Sequence, residues 1–127
     1  MDKLEVLKRL TDCGVIAVVR ADNKDQAMKI VDACIKAGIV GIEMTFTVPG
    51  AADIIKELAA AYKPEDILIG AGTVMDPETA RVAILAGAHF VVSPCLNAET
   101  TKLCLRYQVA SMAGAMTVKE AVECMEA

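Results

Sequence analysis

Glu43 is the residue of this sequence with the clearest capacity for chemistry, because it lies inside a short apolar segment, Gly41–Phe46. Side chains alternate along a strand, which gives the segment an apolar face of Ile42, Met44 and Phe46 and a polar face of Glu43, Thr45 and Thr47. A buried carboxylate is unfavourable unless it is paired or protonated, and burial raises its pKa. Glu43 is therefore predicted to transfer protons near neutral pH. The alternative is a structural glutamate held by a salt bridge or by backbone donors.

Two further candidates for ligand binding follow the neighbouring apolar segments. Arg20 ends the first of them, and its guanidinium can hold a carboxylate or a phosphate in forked geometry. The alternative for Arg20 is an ion pair with a neighbouring acid at the rim. Thr73 follows Gly70-Ala71-Gly72, where small residues allow a ligand to approach the backbone and the threonine adds a hydroxyl. This segment lacks the lysine and the spacing of nucleotide-binding loops.

Other residue types that carry chemistry are sparse or badly placed. His89 is the only histidine and begins an apolar segment, at the opposite end from the expected site, so a structural or surface role is predicted. A histidine-based triad and a metal site built from several histidines are therefore not expected. None of the nine lysines lies in a predicted strand, and Lys102 and Lys119 fall in helices where solvent exposure is expected.

The elements that must position these residues form a repeated pattern of strand and helix. Five apolar segments are predicted as strands, namely Val15–Arg20, Gly41–Phe46, Ile67–Gly72, Phe90–Pro94 and Val109–Ala113. Each is followed by a segment with helical periodicity, and a further helix over about Lys3–Cys13 precedes the first strand. Strands alternating with helices at this spacing predict a parallel sheet with crossover helices.

Helix boundaries are marked by capping residues. Capping boxes are predicted for Asn23 with Gln26 and for Thr117 with Glu120. Asp76 precedes a proline at a predicted first helical position. Two helices are expected to end at the glycines of Lys36-Ala37-Gly38 and Leu85-Ala86-Gly87.

No linker or change of composition divides the chain, so residues 1–127 are predicted to be a single domain or part of one. Two folds fit five strand–helix units: a five-stranded doubly wound sheet, or the first five units of a (β/α)8 barrel. The last predicted helix, Val118–Ala127, ends where a glycine and a sixth strand would be expected. In both folds the ligand binds at the C-terminal ends of the strands.

Composition excludes several classes of protein. Hydrophobic residues make up 55% and charged residues 24% of the chain, and the net charge is −4 without a basic cluster, so no nucleic-acid partner is expected. No apolar stretch approaches the roughly 18 residues of a membrane span. The cysteine count of five is odd and no Cys-x-x-Cys occurs, which predicts reduced thiols in a cytoplasmic protein. Cys95, after the fourth predicted strand, is the cysteine for which reactivity is considered, with packing as the alternative.

Together these segments resemble the family of 2-keto-3-deoxy-6-phosphogluconate aldolases, which includes 4-hydroxy-2-oxoglutarate aldolases. The resemblance runs over the whole chain and rests on Gly14–Arg20, Ile42–Pro49, Ile69–Val74 and Val92–Pro94. It implies a (β/α)8 barrel, a homotrimer when complete, and a cytoplasmic lyase of carbohydrate metabolism in the Entner–Doudoroff pathway. It implies no cofactor and no metal. Gluconate, galactonate and hydroxy-oxoglutarate substrates are not separated by it.

The chemistry that the resemblance implies is a class I aldol cleavage. A lysine forms a Schiff base with the substrate ketone, and cleavage of the carbon–carbon bond releases glyceraldehyde 3-phosphate and leaves an enamine of pyruvate. Glu43 matches the glutamate that moves protons, and Thr73 matches a residue that helps to bind the pyruvyl carboxylate. Arg20, Thr47 and Pro94 match positions expected to contact the substrate.

The sequence departs from the family pattern in three places. Thr47 stands where many members have an arginine, so carboxylate binding is expected to depend on Arg20 and Thr73. Ala113 stands where a proline is common. The Schiff-base lysine of the family lies on a sixth strand, so it is expected beyond Ala127 and the chain as given is expected to be inactive. The alternatives are an inactive fragment that acts as a folding or oligomer unit, and a related epimerase-like barrel that binds sugar phosphates.

Overall fold

In the computed structural model, which describes residues 1–127, six helices alternate with five strands. In chain order the elements are α1 Lys3–Cys13, β1 Ala17–Val19, α2 Lys24–Lys36, β2 Gly41–Thr45, α3 Ala51–Ala61, β3 Leu68–Gly72, α4 Pro77–Ala86, β4 Phe90–Ser93, α5 Ala98–Arg106, β5 Ala110–Ala113 and α6 Val118–Glu126. The predicted number, type and order of elements are confirmed. Every strand is one to three residues shorter than predicted.

The strands are shorter than predicted because some residues at their ends form hydrogen bonds within turns and not with a neighbouring strand. The Val109 N–H donates to the Cys104 carbonyl at 2.9 Å, in the turn that ends α5. β5 therefore begins at Ala110 and not at Val109. The Ile67 N–H likewise donates to the Lys63 carbonyl, at 3.2 Å. β1 is an edge strand whose registered pairing with β2 covers only Ala17–Val19. Apolar character therefore extends further along the chain than strand pairing does.

All neighbouring strands are parallel, and their order in the sheet is β1-β2-β3-β4-β5. A doubly wound sheet reverses direction at a switch point and places an early strand in its interior. A sheet whose spatial order follows the chain order is instead the arrangement of consecutive barrel units. The topology thus favours the barrel over the five-stranded doubly wound alternative. β1 and β5 each pair on one side only.

The registers align one row of side chains across the whole sheet. Val18, Glu43, Gly70, Phe90 and Ala110 lie opposite one another in turn. Because side chains alternate along each strand, this row belongs to one face of the sheet, the face turned away from α2–α5. We call it the inner face.

Each face of the sheet has its own apolar core. A cluster of 19 buried residues joins the outer face to the crossover helices, and its sheet side chains include Ile42, Met44 and Ile69. A smaller cluster joins the inner face to α1 and consists of Val6, Leu10, Leu68, Phe90 and Ala110. α1 therefore covers the N-terminal part of the inner face and leaves the C-terminal part for a site.

Helix caps follow the sequence with one correction. The Thr117–Glu120 capping box is complete, with the Thr117 hydroxyl accepting from Glu120 N–H and the Glu120 carboxylate accepting from Thr117 N–H. The predicted box of Asn23 and Gln26 is only half formed. Asn23 accepts from the Gln26 N–H at 3.0 Å, but Gln26 Oε1 accepts from Asp22 N–H instead of Asn23 N–H.

The remaining boundary predictions are confirmed. The Asp76 carboxylate accepts from Thr79 N–H at 2.7 Å at the start of α4. Gly38 and Gly87 adopt left-handed conformations, with φ of 80° and 104°, where α2 and α4 end. The longest helix, α2, has 13 residues, and none of the six is both long and apolar enough to cross a bilayer.

Candidate active site at the C-terminal strand ends

Glu43 is buried on the inner face of β2, as the alternation of side chains predicts. Its exposed fraction is 8%, and that of Thr45 on the same face is 1%. Ile42 and Met44 on the opposite face are fully buried in the outer core. β2 is buried along its whole length, so Glu43 is largely shielded from water.

The glycines of β3 make room for inner-face side chains of neighbouring strands. A Cβ atom at Gly72 would lie 2.4 Å from Glu43 Oε1, and one at Gly70 would lie 2.3 Å from the Phe90 ring. The sequence predicts that these small residues allow a ligand to approach the backbone closely. On the inner face, Glu43 and Phe90 occupy that space, so the glycines serve the packing of the chain itself.

Burial dominates the electrostatics of Glu43. Desolvation raises the pKa of its carboxyl above the ordinary value, and the positive charge of Arg20 opposes that rise in part. The four ion pairs of the chain do not include either residue. The structural alternatives of a glutamate held in a salt bridge and of a rim arginine paired with an acid are therefore not observed. What results is a carboxyl group with a strengthened tendency to hold a proton.

Thr73 follows β3 in an unusual backbone conformation. Its φ of 58° lies in the left-handed region, which only one other non-glycine residue of the chain, Gln108, enters. A β-branched residue in that region is strained, and such strain often occurs at functional sites. The next residue is held firmly, since the Val74 N–H donates to the Val92 carbonyl at 3.1 Å. Thr73 itself is half-buried.

Thr47 and Pro94 lie in the turns that follow β2 and β4, and both are exposed. The Thr47 and Thr45 hydroxyls are hydrogen-bonded to each other at 2.8 Å, which joins an exposed hydroxyl to a buried one. Next to Pro94, the Ser93 hydroxyl donates to the Cys95 carbonyl at 2.6 Å. Arg20, Thr47, Thr73 and Pro94 thus follow strands at the same edge of the sheet, whereas Glu43 is the central residue of β2.

Along that edge, most of the predicted site residues lie near β1 to β3, and only Pro94 lies near β4. Arg20, Thr47 and Thr73 follow three adjacent strands, β1 to β3, and the Glu43 carboxylate reaches toward the same edge, over Gly72 at the end of β3. Pro94 follows β4, where the Gly114 N–H donates to the Ser93 carbonyl at 2.8 Å. Alternation along the strand predicts Thr45 on the same face as Glu43, but it does not predict the hydrogen bond by which Thr45 holds Thr47.

His89 has the structural role that its position predicts. Its Nδ1 accepts a hydrogen bond from the Ile69 N–H at 3.1 Å, at the N-terminal end of the sheet and away from the candidate site. Burial lowers the pKa of the imidazole, which is consistent with a neutral ring that accepts at Nδ1. The histidine therefore stabilises the pairing of β3 with β4.

The lysines and cysteines add no group to the inner face beside Glu43. All nine lysines lie outside the strands, and Lys102 and Lys119 are exposed on α5 and α6, as predicted. None of the five cysteines forms a disulfide, and Cys95 is the exposed one. No three His, Cys, Asp or Glu side chains converge in a way that could hold a metal ion.

A parallel sheet in chain order is the arrangement of (β/α)8 barrels, and the C-terminal strand edge, toward which the Glu43 carboxyl points, is where such barrels carry their active sites. The sequence model of the family described as KDPG and KHG aldolase matches residues 6–127. The chain belongs to that aldolase family, in which KDPG is 2-keto-3-deoxy-6-phosphogluconate and KHG is a keto-hydroxyglutarate. The family resemblance predicted from the strand-end segments is confirmed.

Curated relatives carry matching names. A 2-dehydro-3-deoxy-phosphogluconate aldolase of Haemophilus influenzae is 38% identical over 100 residues, which cover 79% of this chain and 46% of the relative. An aldolase of the same name from Treponema pallidum is 35% identical over 125 residues, covering 97% of this chain and 58% of the relative. The chain thus spans about half the length of the curated relatives it matches.

Solved structures agree on the fold. A 4-hydroxy-2-oxoglutarate/2-dehydro-3-deoxyphosphogluconate aldolase from TTHB1 superposes with a TM-score of 0.84 at 25% identity, over 99% of this chain and 60% of that one. A KDPG aldolase from Legionella pneumophila, solved with pyruvate captured as a covalent carbinolamine, has a TM-score of 0.80 at 28% identity, over 87% of this chain and 53% of that one. The prediction of a (β/α)8 barrel, of which this chain supplies five strand–helix units, is confirmed.

Proposed function

We propose that the protein to which these residues belong is a class I aldolase that cleaves 2-keto-3-deoxy-6-phosphogluconate to pyruvate and glyceraldehyde 3-phosphate. The observation that carries this proposal is the buried Glu43 carboxyl, with its raised pKa, at the C-terminal edge of a barrel of the KDPG and KHG aldolase family. A carboxyl group whose pKa is raised by burial takes up a proton more readily than an ordinary glutamate, which suits the proton transfers of imine formation and enamine protonation.

In this proposal Glu43 acts on a substrate imine. It removes and returns protons while the amine adds to the ketone and water leaves. After imine formation, the hydroxyl beside the breaking carbon–carbon bond gives its proton to the Glu43 carboxylate and the protonated imine accepts the electron pair of that bond, so an aldehyde leaves and an enamine of pyruvate remains. Protonation of that enamine and hydrolysis of the imine then release pyruvate. The absence of any ion pair to Glu43 supports this role, because a glutamate held in a salt bridge would resist protonation.

Binding of the substrate is assigned to the residues around Glu43. Arg20, exposed after β1, supplies a positive charge for a carboxylate or phosphate. Thr73 and Thr47 supply hydroxyls at the adjacent strand ends, and Pro94 shapes the rim after β4. Thr47 is supported by its bond to the buried Thr45 hydroxyl, which limits the orientations of its own hydroxyl.

The imine-forming lysine is proposed to lie outside residues 1–127. A lysine that forms an imine near neutral pH needs a lowered pKa, and burial is the usual cause. No lysine of the chain is buried and none lies on a strand. We therefore propose that residues 1–127 alone do not form the imine and have no aldolase activity.

The assembly and the cellular setting are proposed from the family. The complete protein is expected to be a homotrimer in the cytoplasm, to act on a phosphorylated keto acid and on pyruvate, and to use no cofactor. Unpaired β1 and β5 edges support a complete barrel as the folded unit, since free strand edges favour association.

The experiment that tests this function is trapping with borohydride. The complete protein and residues 1–127 are each incubated with pyruvate and borohydride and then weighed by mass spectrometry. The proposal expects one pyruvyl adduct on the complete protein, release of pyruvate from 2-keto-3-deoxy-6-phosphogluconate, and no adduct on residues 1–127. An adduct on a specific lysine of residues 1–127 would contradict the placement of the lysine, and a complete protein without adduct or cleavage would contradict the function.

A further inference from the structure

We propose that Gly72 is a positioning residue for Glu43, whose carboxylate is held over the backbone of β3 because Gly72 has no side chain. In register, Glu43 lies opposite Gly70, two residues before Gly72. A Cβ atom at Gly72 would nevertheless lie 2.4 Å from Glu43 Oε1 and 2.8 Å from its Cδ. The Glu43 side chain therefore extends along the inner face toward the C-terminal edge and ends above Gly72.

The glycine is required here for space and not for backbone conformation. The glycines with positive φ are Gly14, Gly38, Gly50 and Gly87, and Gly72 is not among them. An alanine could adopt the backbone of Gly72, but its methyl group would occupy the position of the carboxylate. The atom it would meet is at the end of a flexible side chain, so the expected response is movement of Glu43 and not disruption of β3.

Movement of the carboxylate would change its protonation. Glu43 is largely shielded from water where it lies, and that shielding is the main cause of its raised pKa. A carboxylate displaced from Gly72 toward the open edge would be better solvated. Of the neighbouring strands, β1 is followed by Arg20, the charged group that acts on Glu43, and β3 contributes only glycines on this face at these positions. Solvation and Arg20 would then both favour the ionised form.

Gly70 provides a matched control two residues away on the same strand and face. A Cβ there would lie 2.3 Å from the Phe90 ring, in the cluster that joins the inner face to α1. Gly70→Ala therefore tests the general effect of adding a methyl group to this face of β3. It does so without adding an atom over the Glu43 carboxylate.

The catalytic consequence of Gly72 rests on the proposed function, but its effect on Glu43 does not. The first measurement is therefore a carbon-13 NMR titration of the Glu43 carboxyl. It compares the unsubstituted protein, called the parent, with its Gly72→Ala and Gly70→Ala variants. We expect Gly72→Ala to lower the Glu43 pKa toward the ordinary glutamate value of about 4.3, and Gly70→Ala to leave it near the parent value. An unchanged pKa in Gly72→Ala, or an equal shift in Gly70→Ala, would overturn the proposal even if the enzyme is an aldolase.

The second measurement is a double-mutant cycle followed by thermal unfolding. It gives a result even if the Gly72→Ala variant folds poorly. Gly72→Ala is made in the parent protein and in Glu43→Ala, where the carboxylate it would displace is missing. At about pH 4, where the carboxyl is protonated in both states and better solvation of its ionised form adds no stability, we expect Gly72→Ala to lower the Tm in the parent and to lower it little or not at all in Glu43→Ala. Folding of the double variant when Gly72→Ala alone does not fold supports the proposal, whereas an equal loss of Tm or a failure to fold in both backgrounds overturns it.

Discussion

Arg20 acts on Glu43 without forming an ion pair with it. The positive charge opposes the rise in the pKa of the carboxyl, while burial of Glu43 remains the larger effect. No contact within salt-bridge distance joins the two side chains. This separation leaves both side chains without an ion-pair partner in the chain.

Removing the charge of Arg20 is expected to raise the pKa of Glu43 further. In Arg20→Gln the opposing charge is lost while burial remains, whereas Arg20→Lys keeps the charge and loses the forked donor geometry. Carboxyl titration by NMR measures the first effect, and pyruvate affinity of the complete protein measures the second. We expect Arg20→Lys to keep the Glu43 pKa near the parent value but to weaken pyruvate binding. A Glu43 pKa that falls in Arg20→Gln would contradict the assigned interaction.

Glu43 is expected to reduce stability at neutral pH. Its folded-state pKa is raised above the unfolded value, so the folded chain binds more protons between the two values and stability falls as pH rises through that window. Below about pH 4 both states are protonated and the penalty disappears. Glu43→Gln should therefore unfold at higher denaturant concentration than the parent at pH 7, with the difference shrinking toward pH 4. A variant less stable than the parent at pH 7 would show that the carboxylate is stabilised by contacts.

Thr73 is expected to hold backbone strain that glycine would release. Holding a residue in a sparsely populated backbone conformation lowers the free energy of unfolding by about 1–3 kcal/mol. Glycine removes that strain, but its greater flexibility in the unfolded chain offsets part of the gain. Thr73→Gly should raise the free energy of unfolding by about 1 kcal/mol and weaken pyruvate binding. Thr73→Ala, which keeps the strain and loses the hydroxyl, is the control. Chemical denaturation of both variants separates the effects, and a less stable Thr73→Gly would argue against strain.

His89 is expected to make the chain less stable in mild acid. Its folded-state pKa is lowered, so between that value and the unfolded value of about 6.5 the unfolded chain binds more protons. The neutral form is stabilising above about pH 6.5, and that contribution is lost as pH falls, because a protonated Nδ1 no longer accepts from Ile69 N–H. His89→Asn, which can offer an oxygen acceptor, should lose this dependence. Equal pH profiles for parent and variant from pH 7 to pH 5 would exclude His89 as its source.

Local patterns in the sequence predicted the elements but not the contacts between them. α1 spans Lys3–Cys13 as predicted, and Glu43 and Thr45 are buried on one face of β2, as alternation predicts. Both predictions depend only on the periodicity of side chains within a single segment. The carboxylate above Gly72 depends on the register of β2 against β3, which alternation within one strand does not specify. The left-handed backbone of Thr73 was not predictable either, since a β-branched residue disfavours it.

The strand ends were less predictable than the strand centres for a related reason. Apolar character predicted Val15 and Val109 as strand residues, but Val109 closes a helix end and Val15 precedes the three paired residues of β1. Hydrogen bonding to the neighbouring strand or to the preceding helix decides these positions. The half-formed cap at Asn23 has the same origin, because Gln26 can reach more than one backbone donor.

Turnover by Glu43→Gln in the complete protein tests the central claim most directly. Glutamine keeps the size of the side chain and removes the transferable proton, so the rate of 2-keto-3-deoxy-6-phosphogluconate cleavage should fall by about 10²-fold or more. Circular dichroism should show that the variant remains folded. Turnover close to that of the parent would remove Glu43 from proton transfer and would contradict the account of the site.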